Sequence, residues 1–367
     1  MDADHAALIF KSWAASEGLI QDAQGALLAP GAPDFVQINP VTDVGKQILR
    51  SKHVSAVAFN ASEKEILVFT RRTAPTTKRM LKALPASVDD VAIKYRQGHQ
   101  EIIGGPPAVP FGSPPYVVRQ SAAGRFYACG SSVSVGNCRD AGTFGCLVRN
   151  ATGQLFGLSN NHVTGSCSFA PVGLPILAPG VHDVAAGGLH PFTLGTHQVS
   201  LPIVTGAPDN VNASENLDAA IFTILNPDAV TSFQGMAYDT PTAAAPISPG
   251  MAVEKVGRTT GHTRGTVVAQ MHGPFPIGYA AQLYGFAGQI YFEPLYVVAG
   301  APSLFSDNGD SGSLVVNVAP DGSRTAVGLI VGGMADGSAA GGKVTLVLPL
   351  ETILAKFAVS LVSNHNI

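Results

Sequence analysis

The rhythm of apolar and polar positions along the chain changes near residue 104. Residues 6–17 carry apolar side chains at helical spacing, and 42–51 do so again behind Thr42, whose hydroxyl suits the start of a helix. The apolar runs 54–59 and 65–70 flank the polar stretch 60–64, a pattern that predicts a β-hairpin. A helix over 77–84 and a strand over 91–95 complete a small α+β unit spanning 1–103. The segment from Gly104 to Pro115 holds too many prolines to continue a helix or a central strand, so it marks a boundary, with the linker set at 104–124.

From 125 onward, short apolar runs alternate with turn residues: 145–148, 155–158, 219–225, 252–256, 265–269, 290–292, 295–298, 312–318, 326–331 and 343–348. Such spacing predicts β-barrels. Proline, threonine and alanine crowd 240–246, which divides these strands into a first barrel, 125–240, and a second, 241–367, closed by a helix over 352–359. The predicted class is mainly β, a double β-barrel behind an α+β accessory domain.

Composition agrees with many turns and a large core. Of 367 residues, 46% are apolar and 13% charged, with 41 glycines and 26 prolines. The net charge is -3; residues 1–100 hold 12 Lys/Arg against 10 Asp/Glu, and the remainder 10 against 15. Neither part has the basic excess of a nucleic-acid binder. No apolar run is long enough to span a bilayer, and no basic segment followed by an apolar core stands at the start, so a cytoplasmic protein is expected. Charge gathers at Arg71, Arg72, Lys78, Arg79 and Lys82, which reads either as a solvated face or as a docking surface for an acidic partner protein.

The candidate chemistry lies in Ser306-Asp307-Asn308-Gly309-Asp310-Ser311-Gly312-Ser313, which runs into an apolar, β-branched stretch. Glycines two before and one after Ser311 suggest a tight turn that lifts the hydroxyl out and aims the N–H groups of Gly309 and Ser311 at one point, as an oxyanion hole requires. Taken alone, the stretch also reads as a loop between strands. A serine nucleophile needs a base and a group to orient that base. His162 follows an apolar stretch at a strand end, and Asp218 heads the buried run Leu217-Asp218-Ala219-Ala220-Ile221-Phe222. The G-x-S-x-G elbow is excluded because position 313 is serine. His182, Asp183, His190 and His197 are close in sequence, but their spacings match no zinc pattern, and no phosphate-binding loop is present; no metal or cofactor is predicted. His262 and His272 are spare bases without a strand-borne aspartate in the required order. Cys129, Cys138, Cys146 and Cys167 lack C-x-x-C spacing and read as reduced core or loop residues.

The order histidine, aspartate, serine, with Gly-Asp-Ser-Gly and Asp-x-Ala, resembles trypsin-like serine proteases of the chymotrypsin fold. A narrower similarity, over about 125–350, is to the trypsin-like proteins related to the plant narrow-leaf regulator. It rests on Gly142-Thr143-Phe144-Gly145-Cys146-Leu147-Val148 and on Val256-Gly257-Arg258-Thr259-Thr260-Gly261-His262-Thr263-Arg264-Gly265-Thr266-Val267. The resemblance implies a chymotrypsin-like double β-barrel and a serine endopeptidase acting on protein or peptide substrates. His162, Asp218 and Ser311 would be its triad, Gly309 and Ser311 the oxyanion hole, and a homo-oligomer its state. It places the primary substrate pocket at Phe305, Val331 and Gly333, hence a preference for cleavage after an apolar residue. It also offers a Cys146–Cys167 disulfide. Glu101-Ile102-Ile103-Gly104-Gly105 resembles the N-terminus freed on activation of secreted relatives, whose ammonium pairs with the aspartate before the serine, here Asp310; Glu101 departs from the basic residue those enzymes cleave after. The alternative of a different class is a catalytically idle protease fold used for partner binding.

Overall fold

In the computed structural model, which describes all residues except 21–22, 101, 112–113, 123 and 185–188, the N-terminal unit opens on helix α1 (Ala3–Ser16). Asp2 caps it by accepting from the His5 N–H at 2.7 Å. Thr42 caps α2 (Asp43–Lys52) as its sequence implies, accepting from Gly45 N–H, while its own hydroxyl donates to Ala83 O. Strands β1 (Val54–Asn60) and β2 (Glu65–Thr70) form the hairpin, turned by Asn60, whose side-chain oxygen accepts from the N–H groups of Ser62 and Glu63. Beyond a short helix, α3 (Lys78–Ala83), β3 (Val91–Gln97) lies parallel to β2.

Side-chain alternation along this hairpin serves two cores. Val57, Phe59, Ile66 and Val68 face α1 and pack with Ile9, Phe10 and Trp13. Ala56, Ala58, Leu67 and Phe69 face the other way and join the core of the C-terminal half, with Met271, Phe275 and Val297 among their company. The next two strands are short: β4 (His99–Gln100) and β5 (Ile102–Ile103).

The first barrel half comprises β6 (Ser132–Val135), β7 (Gly142–Thr143), β8 (Cys146–Asn150), β9 (Leu155–Ser159), the single-turn helix α4 (Asn161–Thr164), β10 (Pro175–Ala178), β11 (Phe192–Ser200) and β12 (Ala220–Ile224). They run in the order β7-β6-β10-β11-β12-β9-β8. The second half comprises β13 (Ala252–Gly257), β14 (Gly261–Met271), β15 (Phe275–Ala281), β16 (Phe286–Phe292), β17 (Tyr296–Gly300), β18 (Leu314–Val318), β19 (Arg324–Ala335) and β20 (Lys343–Pro349). Among the described residues, β14-β13-β18-β19-β20-β17 closes on itself through β14–β17 pairing, a six-stranded barrel that removes its own edges. Helix α5 (Leu350–Phe357) follows, and β21 (Val359–Leu361) returns to pair with β8 of the first half. The protein is mainly β, a chymotrypsin-like double β-barrel.

The N-terminal hairpin is not free of this architecture. The far end of β14 pairs with β1, matching Ala58 to Met271 and Phe59 to Gln270, so the accessory strands continue the sheet of the second barrel. No described helix is long and apolar enough to cross a membrane.

Candidate active site

His162 sits on α4 at the end of β9, and Asp218 just before β12, which pairs with β9. Register brings the two side chains together: His162 Nδ1 lies 2.5 Å from Asp218 Oδ2, and the His162 N–H donates to Asp218 Oδ1 at 2.9 Å. Asn160 adds a bond from its side-chain amide to Asp218 O. Tyr279, from β15 of the other half, donates its hydroxyl to Asp218 Oδ2 at 2.9 Å, and its ring meets the imidazole edge-on. Asp218 is fully buried. Burial, then the Asp218 charge, pushes the Tyr279 phenol well above its ordinary range, so it stays a donor.

Ser311 lies across the cleft in the turn 307–313, which precedes β18. Asp310 N–H donates to Asp307 O, Ser313 N–H to Asp310 O, Gly312 N–H to Ile330 O, and the N–H groups of Asp307 and Asn308 to aspartate side chains. Among the described residues, the two N–H groups of this turn without an acceptor are those of Gly309 and Ser311. Their carbonyls are held from the first half: Thr143 N–H donates to Ser311 O at 2.8 Å and Thr143 Oγ1 to Gly309 O at 3.0 Å. The geometry demands glycine at two places. Gly309 has φ +100° and Gly312 φ +90°, and a Cβ at Gly312 would fall 2.4 Å from Ser159 Oγ. Among the described residues Ser311 Oγ makes no hydrogen bond to the His162 imidazole, although both line the same cleft; such bonds often tighten only with substrate bound.

The turn rests on a buried ionic base. Asp310, fully buried, accepts from Thr259 N–H, Thr260 N–H, Thr260 Oγ1 and Asp307 N–H, and from Lys255 Nζ at 3.2 Å. Burial pulls the Lys255 ammonium down and Asp310 holds it up. Arg258 is clamped two-pronged by Asp183 and also donates to Thr259 Oγ1, which in turn donates to Asn308 O. Ser132 donates to the same Asp183 at 2.5 Å. The segment 255–260 thus supports the serine turn, and Asp183 is a counter-ion in that scaffold.

Several expectations change. Phe305 is fully buried among Val253, Val267, Tyr296 and Val315, beneath the turn, and Val331 is turned into the main barrel core, so neither lines the cleft. Gly333 does, with Gly332, Ile330, Asp307 and Lys343, whose ammonium lies 3.0 Å from Asp307 Oδ1. Cys146 and Cys167 are both free thiols in the core, so the disulfide offered by the resemblance is not formed; Cys129 is also free and buried, and Cys138 is free and half-buried. Ile102 is paired in a strand, and Asp310 has the Lys255 ammonium as its ionic partner; Glu101 lies outside the described residues. His262 pairs with Glu254 and His272 with Asp4, both away from the cleft. Asp140 does line it, and burial raises its carboxyl against the pull of the Ala141 N–H and His162.

Sequence reading missed Lys255, Tyr279 and Lys343. The adjacent charges Glu254-Lys255 inside an apolar strand run were a signal for the first; the others had none.

Two barrel halves, with the histidine and aspartate on one and the serine turn on the other, define the trypsin-like architecture. Within that class, residues 242–351 match the family model described as the Nal1 C-terminal domain. Protein NARROW LEAF 1 of Oryza sativa subsp. japonica is 30% identical over 225 residues, covering 56% of this chain and 36% of the rice protein. The chain therefore spans about a third of the length of that curated relative. Among solved structures, it is similar to Thermobifida fusca protease A (21% identity, 65% of this chain and 100% of that one, TM-score 0.42). The Nocardiopsis protease is similar too (19%, 64% and 97%, TM-score 0.41).

Proposed function

We propose that the chain is a serine endopeptidase that hydrolyses peptide bonds through an acyl-enzyme. The observation that carries the reading is the pair of unpaired N–H groups, Gly309 and Ser311, fixed in a turn whose other N–H groups are all bonded, beside a histidine already oriented by a buried aspartate. In this mechanism His162 Nε2 takes the proton from Ser311 Oγ as the hydroxyl attacks the scissile carbonyl, and returns it to the leaving amine. Asp218 holds the Nδ1–H tautomer and stabilises the imidazolium, with Tyr279 and the His162 N–H keeping its carboxylate in place. The Gly309 and Ser311 N–H groups bind the oxyanion, worth roughly 3–4 kcal/mol per donor.

With Phe305 and Val331 in the core, the apolar-pocket argument passes to Ile330, Gly332 and Gly333, and the Lys343–Asp307 pair makes one polar wall. The reading is cleavage after a small, uncharged residue. Residues 1–103 act as an accessory domain, 104–124 as linker, 125–240 and 241–367 as the two barrels, in a cytoplasmic homo-oligomer; four free thiols suit a reducing compartment. The exposed cluster Arg71, Arg72, Lys78, Arg79 and Lys82 would take an acidic partner.

The second reading, an idle fold used for partner binding, draws on the small free space beside Ser311, about 50 Å³. A fluorophosphonate probe separates the two. The uncut chain is expected to be labelled, Ser311→Ala not, and His162→Ala and Ser311→Ala each to lower peptide hydrolysis by several orders of magnitude without adding when combined. Folded wild type that resists the probe, or hydrolysis that survives Ser311→Ala, overturns the enzyme reading.

A further inference from the structure

The loop 336–342, which joins β19 to β20, carries a buried charge whose counter-charge comes from the N-terminal unit. Asp336 has no solvent exposure. Its Oδ1 accepts from the Ser338 N–H at 2.9 Å and the Ser338 hydroxyl at 2.6 Å, and its own N–H donates to Gly342 O at 2.8 Å. Among the described residues Asp336 Oδ2 accepts no hydrogen bond, and its ionic partner is Arg96, whose Nε lies 3.0 Å away and donates to Ser338 Oγ at 3.2 Å. Arg96 is held rigidly: β3 pairs with β2 along its length, placing Arg96 opposite Phe69 of the barrel core, and Thr70 Oγ1 donates to Arg96 O. The next residue, Gln97, puts Oε1 3.1 Å from where a Cβ on Gly337 would stand. On its other side the loop is seated against Leu304, whose Cβ would lie 2.8 Å from a Cβ on Gly341. It then delivers Lys343 to the cleft, with the ammonium 3.0 Å from Asp307 Oδ1 and 3.3 Å from Asn308 Oδ1.

We propose that Arg96 is a positioning residue: its guanidinium compensates the buried Asp336 carboxylate, fixes the loop 336–342, and through that loop sets Lys343 as the polar wall of the cleft. The consequence for substrate rests on the reading of the cleft as an endopeptidase site; the coupling of Arg96 to the loop does not. A buried carboxylate deprived of its counter-charge must reach water or take up a proton, and either change breaks the bonds that give the loop its shape. The serine turn is braced elsewhere, by Asp310 and the segment 255–260. Loosening the loop therefore moves the wall that a bound side chain meets and leaves the Gly309 and Ser311 N–H groups aimed as before. The signature is a raised KM with kcat kept, the reverse of what disturbing the base under the turn produces. The accessory unit thus completes the substrate cleft with a residue that does not touch substrate.

The test uses the full chain with Arg96→Ala, with Arg96→Lys, and with Arg96→Ala combined with Asp336→Asn, which removes the stranded charge and keeps the oxygen that accepts from Ser338. Peptide hydrolysis, the rate of fluorophosphonate labelling at Ser311, and hydrogen exchange over 336–343 are read on each. Arg96→Ala is expected to raise KM roughly tenfold, with kcat and the labelling rate within about threefold of wild type, and to speed exchange over the loop. Arg96→Lys and the double variant are expected to bring KM and exchange back toward wild type. Arg96→Gln, which loses the charge and keeps most of the stem, is the second variant should Arg96→Ala not fold. In an active chain, an unchanged KM overturns the inference, as does a kcat that falls as far as KM rises, or a double variant no better than the single one. Exchange that rises in Arg96→Ala and is reversed in the double variant, in a chain of which no form reacts with the probe or cleaves peptide, sustains the coupling of Arg96 to the loop while the endopeptidase reading falls.

Discussion

At residue scale, the serine turn is set by groups that touch no substrate. Asp310 collects four hydrogen bonds and one ammonium in a site with no exposure, so Lys255 is the counter-charge that lets a carboxylate sit under the Gly309 and Ser311 N–H groups. Removing one partner of such a pair strands the other, at a cost of about 3–5 kcal/mol, whereas replacing both with apolar residues costs far less. Lys255→Met is therefore expected to lower stability by about 3 kcal/mol in urea unfolding. It should also depress kcat more than KM, because Gly309 and Ser311 lose their fixed aim while the cleft wall at Gly332 and Gly333 is untouched. A KM effect as large as the kcat effect would show that Lys255 supports substrate binding instead.

At the scale of elements, α1 is fastened to the second barrel by a buried cation. Lys11 Nζ donates to Gln24 O at 2.6 Å and to His272 O at 2.8 Å, just beyond β14, while His272 pairs with Asp4 of the helix's first turn. Burial brings the Lys11 ammonium down to about 8, against the opposing pull of Glu293. Because the folded pKa lies below the unfolded one, the unfolded chain binds more protons between about pH 8 and 10.5, and the contribution of Lys11 to stability rises with pH across that window. Relative to Lys11→Met, wild type should gain about 2 kcal/mol between pH 8 and pH 10, read from urea midpoints of the two proteins side by side. A difference that stays constant with pH would mean the ammonium is solvated. The hairpin β1–β2, its polar turn and the Thr42 cap were legible in sequence because each depends on neighbours within a few residues. That the hairpin's second face would belong to another core was not, since alternation alone does not say what covers either face.

For the whole molecule, the accessory unit has its own core around Ile9, Phe10 and Trp13, yet shares a sheet and four core residues with the second barrel. Deleting 1–103 uncovers the end of β14 and the apolar residues that Ala56, Ala58, Leu67 and Phe69 cover, and it also removes β4 and β5 from the cleft. The expected outcome is loss of soluble protein, or a melting temperature lower by 10 °C or more, on the order of 5 kcal/mol or above for a chain of this size. A truncated chain that melts cooperatively within a few degrees of the full one would show the shared sheet to be dispensable.

By itself the sequence determined what local chemistry and chain order can encode. The Gly-x-Ser-Gly turn needs positive φ at Gly309 and Gly312, the aspartate must head a buried strand, and strand periodicity with dense turns leads to barrels. The tertiary structure decided what depends on residues far apart in the chain. Arg258 meets Asp183 across 75 positions and Ala108 across 150. β4 finds β19, Tyr279 finds Asp218, and Phe305 drops into the core although its distance from Ser311 suggested a pocket. The physical reason is that main-chain pairing and close packing carry almost no sequence signature: any extended segment can complete a strand edge, and only the folded sheet selects which one arrives.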